Sequence, residues 1–244
     1  HYQGASAVAI GYNAAEGTVS SSATYVSGGT GGAALVVDDT TGILPGFRVI
    51  GTGYTTQTVV SVDSGTTLTI SADASETPSG TILFIGAQGI DAVAIGHSSG
   101  QSNQRQNSVA IGRDAGKTNQ DFRAVAIGYS AGQEDQGGTA VAIGGQAGKT
   151  TQGGSAVAVG YLSGWQTQGD TAVAVGRTAG YTSQGEDAIA VGFEAGKTNQ
   201  GEDAIAIGTL AGYANQAANS IVINATGVTV QNSQASSLVI KPVR

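Results

Sequence analysis

Cysteine and methionine are absent from this 244-residue chain, and histidine, tryptophan and proline are scarce, with two, one and three copies. Without cysteine the fold uses no disulfide, and with only His1 and His97 an enzymatic role has little support. The net charge of −7 argues against nucleic acid or an anionic membrane surface as a partner. No apolar run approaches the roughly 20 residues of a membrane span, and no signal peptide is recognisable.

Glycine is abundant, with 40 copies, and its spacing organises the chain. Eight consecutive AVAIG-like segments recur every sixteen residues, and a ninth ends at Gly11. Equal spacing without drift indicates structural units that stack on one another. Each segment ends in a glycine, at Gly96, Gly112, Gly128, Gly144, Gly160, Gly176, Gly192 and Gly208. Eight residues after each comes a glutamine, at Gln104, Gln120, Gln136, Gln152, Gln168, Gln184, Gln200 and Gln216.

The segments that precede these glycines have the pattern of β-strands. The alternation Ala-Val-Ala-Ile, as in Ala92–Ile95, has the two-residue period of a strand, and no helical period competes with it. At about 3.3 Å per residue, one repeat closes into two short strands and two turns, hydrogen-bonded to repeats about 4.8 Å above and below. The sequence therefore predicts an all-β fold, a parallel β-solenoid with sixteen-residue coils.

The repeated glycine and glutamine have separate predicted roles. Each closing glycine is expected at a corner with positive φ, where a side chain would strike the next coil. Asn224 takes the equivalent place after Gly208, and asparagine tolerates the left-handed region best among other residues, so the same turn is expected there. The glutamines form either an amide ladder along the stack, as in cross-β structures, or a row of polar turn residues. Gln88 fits the same column.

The two faces of the strand differ in side-chain size. Valine and isoleucine are expected to fill the coil, which leaves an outward face of alanines such as Ala110 and Ala126. A continuous alanine strip would exceed the roughly 300–600 Å² patch of ordinary monomers and should be buried against other chains. A homotrimer with this strip on its axis is the prediction, and a face-to-face dimer is the weaker alternative. On this assignment Ala126→Trp would separate the chains and Ile95→Asp would unfold a coil.

The repeat is interrupted once, by about 70 residues after Gly11. The predicted organisation is a first coil over residues 1–16, a small inserted antiparallel β domain over 17–86, the coils over 87–224 and a closing β segment over 225–244. Apolar runs separated by turn signals predict about five strands in the insert. These runs are Ala34–Val37, Phe47–Ile50, Thr58–Val62, Thr67–Ile70 and Thr81–Ile85.

Several motifs have an ordinary explanation within the repeat. AGKT occurs at Ala115–Thr118, Ala147–Thr150 and Ala195–Thr198, but the glycine spacing of a phosphate-binding loop is missing and the motif marks a repeat turn. Asn224 begins a glycosylation sequon that is expected to be inert. His97 lies in a variable outer column and is expected to be a solvated turn residue. No catalytic residue, metal site or cofactor is predicted.

Acidic residues recur in neighbouring coils, so that Glu186 lies one repeat before Glu202, and Asp187 one repeat before Asp203. Like charges about 4.8 Å apart repel each other. They therefore either splay into water, which is the favoured interpretation, or hold a cation between them.

The repeats resemble known fibre proteins. SAVAIG (Ser6–Gly11), NSVAIG (Asn107–Gly112) and SAVAVG (Ser155–Gly160) are similar to head repeats of trimeric autotransporter adhesins of the YadA type. AGKTNQGEDAIAIG (Ala195–Gly208) and LVIKPVR (Leu238–Arg244) are more similar to a variant in structural proteins of tailed phages and large algal viruses. The resemblance implies a left-handed parallel β-roll that assembles as a homotrimer.

The same resemblance implies a virion fibre that attaches to a host-cell glycan or protein receptor. A bacterial adhesin head is the alternative, and a glycan-degrading tailspike is a remote one. The insert is the first candidate for receptor contact, with a plain spacer as an equal alternative. Exposed aromatic residues that could stack on sugar rings are the second candidate, although the favoured interpretation is that these rings cover the corner glycines and shield the backbone from water. They are Tyr129, Tyr161, Trp165, Tyr181, Phe193 and Tyr213.

Overall fold

The computed structural model describes residues 88–242 and, before them, 8–10, 14, 19–28, 34–37, 48–52, 59–62, 64, 67–70 and 79–85. These residues contain strands and turns only. The strands are β1 (Val8–Ile10), β2 (Val19–Gly28), β3 (Ala34–Val37), β4 (Arg48–Thr52), β5 (Val59–Val62), β6 (Thr67–Ile70), β7 (Ser79–Ile85), β8 (Val93–Ile95), β9 (Val109–Ile111), β10 (Thr118–Gln120), β11 (Val125–Ile127), β12 (Glu134–Gln136), β13 (Val141–Ile143), β14 (Thr150–Gln152), β15 (Val157–Val159), β16 (Gln166–Gln168), β17 (Val173–Val175), β18 (Thr182–Gln184), β19 (Ile189–Val191), β20 (Thr198–Gln200), β21 (Ile205–Ile207), β22 (Ile221–Asn224) and β23 (Leu238–Lys241).

The predicted β-solenoid is confirmed. One long parallel sheet has eleven strands, in the order β1-β8-β9-β11-β13-β15-β17-β19-β21-β22-β23. A second parallel sheet stacks the strands β10-β12-β14-β16-β18-β20. From β8 to β22, neighbouring strands pair at a register of sixteen residues, as in Ala126 with Ala142. Each coil therefore contributes one strand to the long sheet and, from β10 to β20, one to the second sheet.

Axial hydrogen bonds continue through the turns as well as the strands. Gly112 N donates to Ile95 O at 2.7 Å, and Gly116 N donates to Ala131 O at 2.9 Å, although both glycines lie outside the strands. Peptide groups of the turns are thus paired with the coils above and below. This pairing satisfies backbone groups that a thin coil cannot satisfy within itself.

The strands between β1 and β8 form a third sheet, which is antiparallel and has the order β4-β7-β2-β3-β6-β5. Five of them match the runs expected from the sequence, and β2 was missed because its sequence VSSSATYVSG is mostly polar and has no apolar run. β1 pairs directly with β8, Val8 opposite Val93. The coil stack therefore continues across the chain segment that carries the antiparallel strands.

The corner glycines have the predicted conformation. Gly128 has a φ of +128°, and a Cβ built on it would lie 2.6 Å from Gly144 O in the next coil. Left-handed conformations are more widespread than the sequence indicated, because Ser130, Asp135 and Thr139 of the same coil also have positive φ. Three further positions per coil thus take the left-handed conformation without glycine.

The expectation for Asn224 was wrong. It does not adopt positive φ, and it ends strand β22 with its side chain buried. Its Nδ2 donates to Thr209 O and to Val228 O, both at 2.6 Å. Asn224 therefore redirects the chain by side-chain hydrogen bonds, and its buried amide is not presented as a glycan acceptor.

The assignment of the two strand faces was also wrong: the alanines, expected outside, lie inside the coil, and the valines and isoleucines, expected inside, lie outside. Ala110, Ala126 and their equivalents are completely buried inside the coil, whereas the valine and isoleucine on either side of each alanine point outward. The reason is the thinness of the coil. A Cβ built on Gly116 would lie 3.1 Å from Ala110 Cβ across the interior, so larger side chains do not fit there.

The glutamine column is an amide ladder inside the coil, which decides between the two interpretations left open. Gln120 Nε2 donates to Gln136 Oε1 at 3.1 Å and to Val109 O of its own coil at 2.8 Å. The same axial bond recurs from Gln104 through Gln216. Gln88 is buried in the same column but donates to Val8 O and Ala92 O, so the ladder begins at Gln104.

Candidate functional site

The most extensive apolar surface of the described coils is the outer face of the long sheet. We call it the apolar strip: the two outward residues of every strand in that sheet, from Val8 and Ile10 to Leu238 and Ile240. Its members are half-buried or exposed, with Ile143 38% and Ile207 41% exposed. Eleven strands at about 4.8 Å make the strip roughly 50 Å long, and its two columns are about 7 Å apart.

Size distinguishes the strip from scattered surface hydrophobics. A continuous apolar patch on the order of 500 Å² lies at the upper end of what soluble monomers expose, and such patches usually mark interaction sites. The sequence pattern contained this signal, since two columns of β-branched residues cannot both fit in an interior that is lined mainly by alanine, serine and glycine with one glutamine per coil; Val222 in β22 is an exception. What pointed to the wrong face was the assumption that larger apolar side chains lie inside.

Three of the six aromatic residues singled out from the sequence lie in one column, five residues after the corner glycines. Trp165 and Tyr181 are stacked, with ring centroids 4.9 Å apart and planes 8° from parallel. Lys149 Nζ lies 5.9 Å from the Trp165 ring centroid. The distance between the two ring centroids equals the spacing of neighbouring coils. The planes of the Trp165 and Tyr181 rings are therefore roughly perpendicular to the axis of the stack, and each ring covers one face of the other.

The third ring of this column, Tyr213, is covered by Lys197. The Lys197 Nζ lies 5.0 Å from the Tyr213 ring centroid, and it donates to Glu194 Oε1 at 2.8 Å and to Tyr213 Oη at 3.3 Å. The bond to the Glu194 carboxylate raises the pKa of Lys197 above its usual value, against a smaller lowering by burial. This lysine is therefore committed to contacts within the chain.

Tyr129, Tyr161 and Phe193 form the other aromatic column, directly after the corner glycines. Arg177 lies 5.3 Å from the Phe193 ring centroid, and the Tyr161 ring packs over Gly145, where a built Cβ would lie 3.2 Å from Tyr161 Cδ2. All three residues are exposed. The structure thus separates the six aromatic residues into two columns that cover neighbouring coils. Flat sugar-binding platforms need a free ring face, and the Trp165–Tyr181 stack offers little of one.

The remaining candidate motifs have structural roles. The AGKT segments are turns followed by short strands such as β10 and β20. His97 is exposed, and its Nδ1 is 3.1 Å from Ser98 Oγ in the same turn. Within the described residues, no group of three or more His, Cys, Asp or Glu side chains is arranged to hold a metal ion.

No helix in the described part of the chain is long and apolar enough to cross a membrane. Comparison of the chain with protein-family models, curated proteins and solved structures finds no match in any of the three. The resemblance of the repeats to fibre and adhesin heads thus stays an expectation from sequence motifs.

Proposed function

We propose that this chain is the rod segment of a homotrimeric virion fibre of a phage or virus, and that the fibre attaches to a host-cell receptor. The observation that carries the proposal is the apolar strip. Its residues are half-buried or exposed although the coil interior is already filled, mainly by alanine and glutamine. An outer face of this kind gains stability only from burial against another surface.

Three parallel chains around a common axis bury the apolar strip most completely. Each chain has one strip, and rotation symmetry closes the assembly without leaving a strip unpaired. The strip is continuous, because the same residue columns recur from coil to coil at a constant register. A rod whose three apolar faces meet along its whole length is stiff, which suits a fibre that must hold its attachment surface away from the virion.

We assign receptor contact to the segment between β1 and β8, since the Trp165–Tyr181 stack offers little free ring face and the column of Tyr161 and Phe193 borders the apolar strip. The segment emerges from a single turn of the stack, and a trimer presents three copies of it. Its antiparallel sheet belongs to no coil, so it is free to carry contact residues without disturbing the repeat.

The trimer is tested by introducing charge into the strip. Wild-type protein should scatter light as three times the 23.9 kDa chain mass, and the double variant Ile127→Asp, Ile143→Asp should scatter as a single chain with an unchanged β-type circular dichroism spectrum. Burying unpaired carboxylates at the axis costs several kcal/mol per group.

Thr167→Asp is the matched control, because Thr167 is exposed on the second sheet and should leave the trimer intact. A monomeric wild-type protein, or a double variant that remains trimeric, would contradict the proposal.

Attachment is tested by deleting residues 17–85, which leaves Gly11 and Gly96 sixteen residues apart and so preserves the repeat. The shortened protein should stay trimeric and lose binding to a glycan array and to host cells that the full chain binds. Retained binding would place the receptor site on the coils instead.

A further inference from the structure

The two sides of the apolar strip carry different charges in the coils from Gly160 to Gly208. We call the residues just before each strand of the long sheet the leading edge and those just after its corner glycine the trailing edge. The trailing edge there contains Tyr161, Arg177 and Phe193. The leading edge contains five exposed carboxylates, Asp170, Glu186, Asp187, Glu202 and Asp203.

These leading-edge charges are not neutralised within the chain. The ion pairs of the described residues join Arg105 to Asp121, Arg113 and Lys117 to Asp114, and Lys197 to Glu194. None involves a leading-edge carboxylate of these coils. Asp170 accepts a bond from Gly154 N at 2.8 Å, and Asp187 accepts one from Thr171 Oγ1. The stacked carboxylates therefore repel one another along the rod.

Arg177 on the opposite side also has no carboxylate within 4 Å among the described residues. It is exposed, and its contact is with the Phe193 ring. Asp170 and Arg177 lie at the two ends of strand β17 (Val173–Val175), and Glu186 lies one coil further along the leading edge. The strip therefore separates opposite charges at one level of the rod.

Symmetry determines which edges meet. When chains lie parallel around a rotation axis, the leading edge of one chain faces the trailing edge of the next, without axial displacement. When two chains lie antiparallel, like edges face each other. The charges on this chain are thus complementary in a parallel assembly, whereas an antiparallel pair brings carboxylates together.

We propose that, in the trimer, Arg177 of each chain pairs with the carboxylates of Asp170 and Glu186 on the neighbouring chain. The partner is a second copy of this chain, and the pairing sets the parallel orientation and the axial register. Arg177 and Asp170 flank the same strand, so rotation symmetry brings Arg177 level with Asp170 of the neighbouring chain, and Glu186 lies one coil further along the same edge. The pairing rests on the proposed trimer and specifies its contacts.

The test is a charge-swap cycle read by the dissociation constant of the trimer. Arg177→Glu and Glu186→Arg should each weaken assembly at least tenfold, since each change repeats at three interfaces. The double variant should recover most of that loss. The two side chains make no contact within one chain, so coupling between them reports a contact between chains.

Lys149→Glu is the control, because Lys149 lies beside Trp165 and away from both edges. It should show no coupling with Glu186→Arg. Additive effects of Arg177→Glu and Glu186→Arg in an intact trimer would overturn the edge pairing and leave the trimer standing. A monomeric wild-type chain would overturn both.

Discussion

Ala158→Leu should lower the free energy of unfolding by about 3 kcal/mol or more, at the upper end of the range for overpacked cores. Ala158 is completely buried, and a Cβ built on Gly164 would lie 3.2 Å from Ala158 Cβ. The alanines of the adjacent coils, Ala142 and Ala174, occupy the positions above and below. The interior therefore offers no free space, and the adjacent Gln168 side chain is held in place by its hydrogen bonds to Val157 O and Gln184 Oε1.

The measurement is a urea or thermal unfolding curve at a fixed chain concentration, because trimer stability depends on concentration. Gln166→Leu is the matched control: Gln166 is exposed on strand β16 of the second sheet, away from the apolar strip, so a change within about 0.5 kcal/mol is expected. Equal midpoints for Ala158→Leu and wild-type protein would show that the alanine face is not the interior.

Gln168→Ala should destabilise the protein by about 3–5 kcal/mol, because it leaves several buried polar groups without partners at about 1–3 kcal/mol each. Gln168 Nε2 donates to Val157 O at 2.9 Å and to Gln184 Oε1 at 3.1 Å. Its Oε1 accepts from Gln152 Nε2 at 3.1 Å. Truncation interrupts the ladder in the middle of the stack.

Gln166→Ala provides the comparison, since Gln166 lies two residues earlier on strand β16 and is exposed. A surface change of this kind stays within about 0.5 kcal/mol. Indistinguishable unfolding midpoints for the two variants would mean that the ladder contributes nothing to stability.

The period, the strands and the corner glycines could all be predicted from the sequence because they are local properties. Sixteen-residue spacing requires equal coils, and alternation requires strands. Which face of each strand turns toward the coil interior is not a local property of the sequence. It depends on the distance between the two sides of a coil, which is set by glycines such as Gly116 and by the glutamine that fills the space between them.

This same distance explains why Ala126→Trp and Ile95→Asp exchange their expected effects. The tryptophan would enter the closed interior, and the aspartate would enter the outward strip. Asn224 shows a second limit of pattern reasoning. Its position matches the corner glycines, but its side chain finds carbonyl acceptors at Thr209 and Val228, and these bonds determine the local backbone.

The axial direction of the hydrogen bonds has a mechanical consequence. Tension applied to the two ends of the coil stack acts parallel to these bonds, so the coils bear the load in series and open one at a time. Each opening frees sixteen residues, or roughly 50 Å of extended chain, and leaves the remaining rungs intact. The coil stack of one chain would therefore extend in separate steps, one coil at a time, and each step would absorb mechanical work.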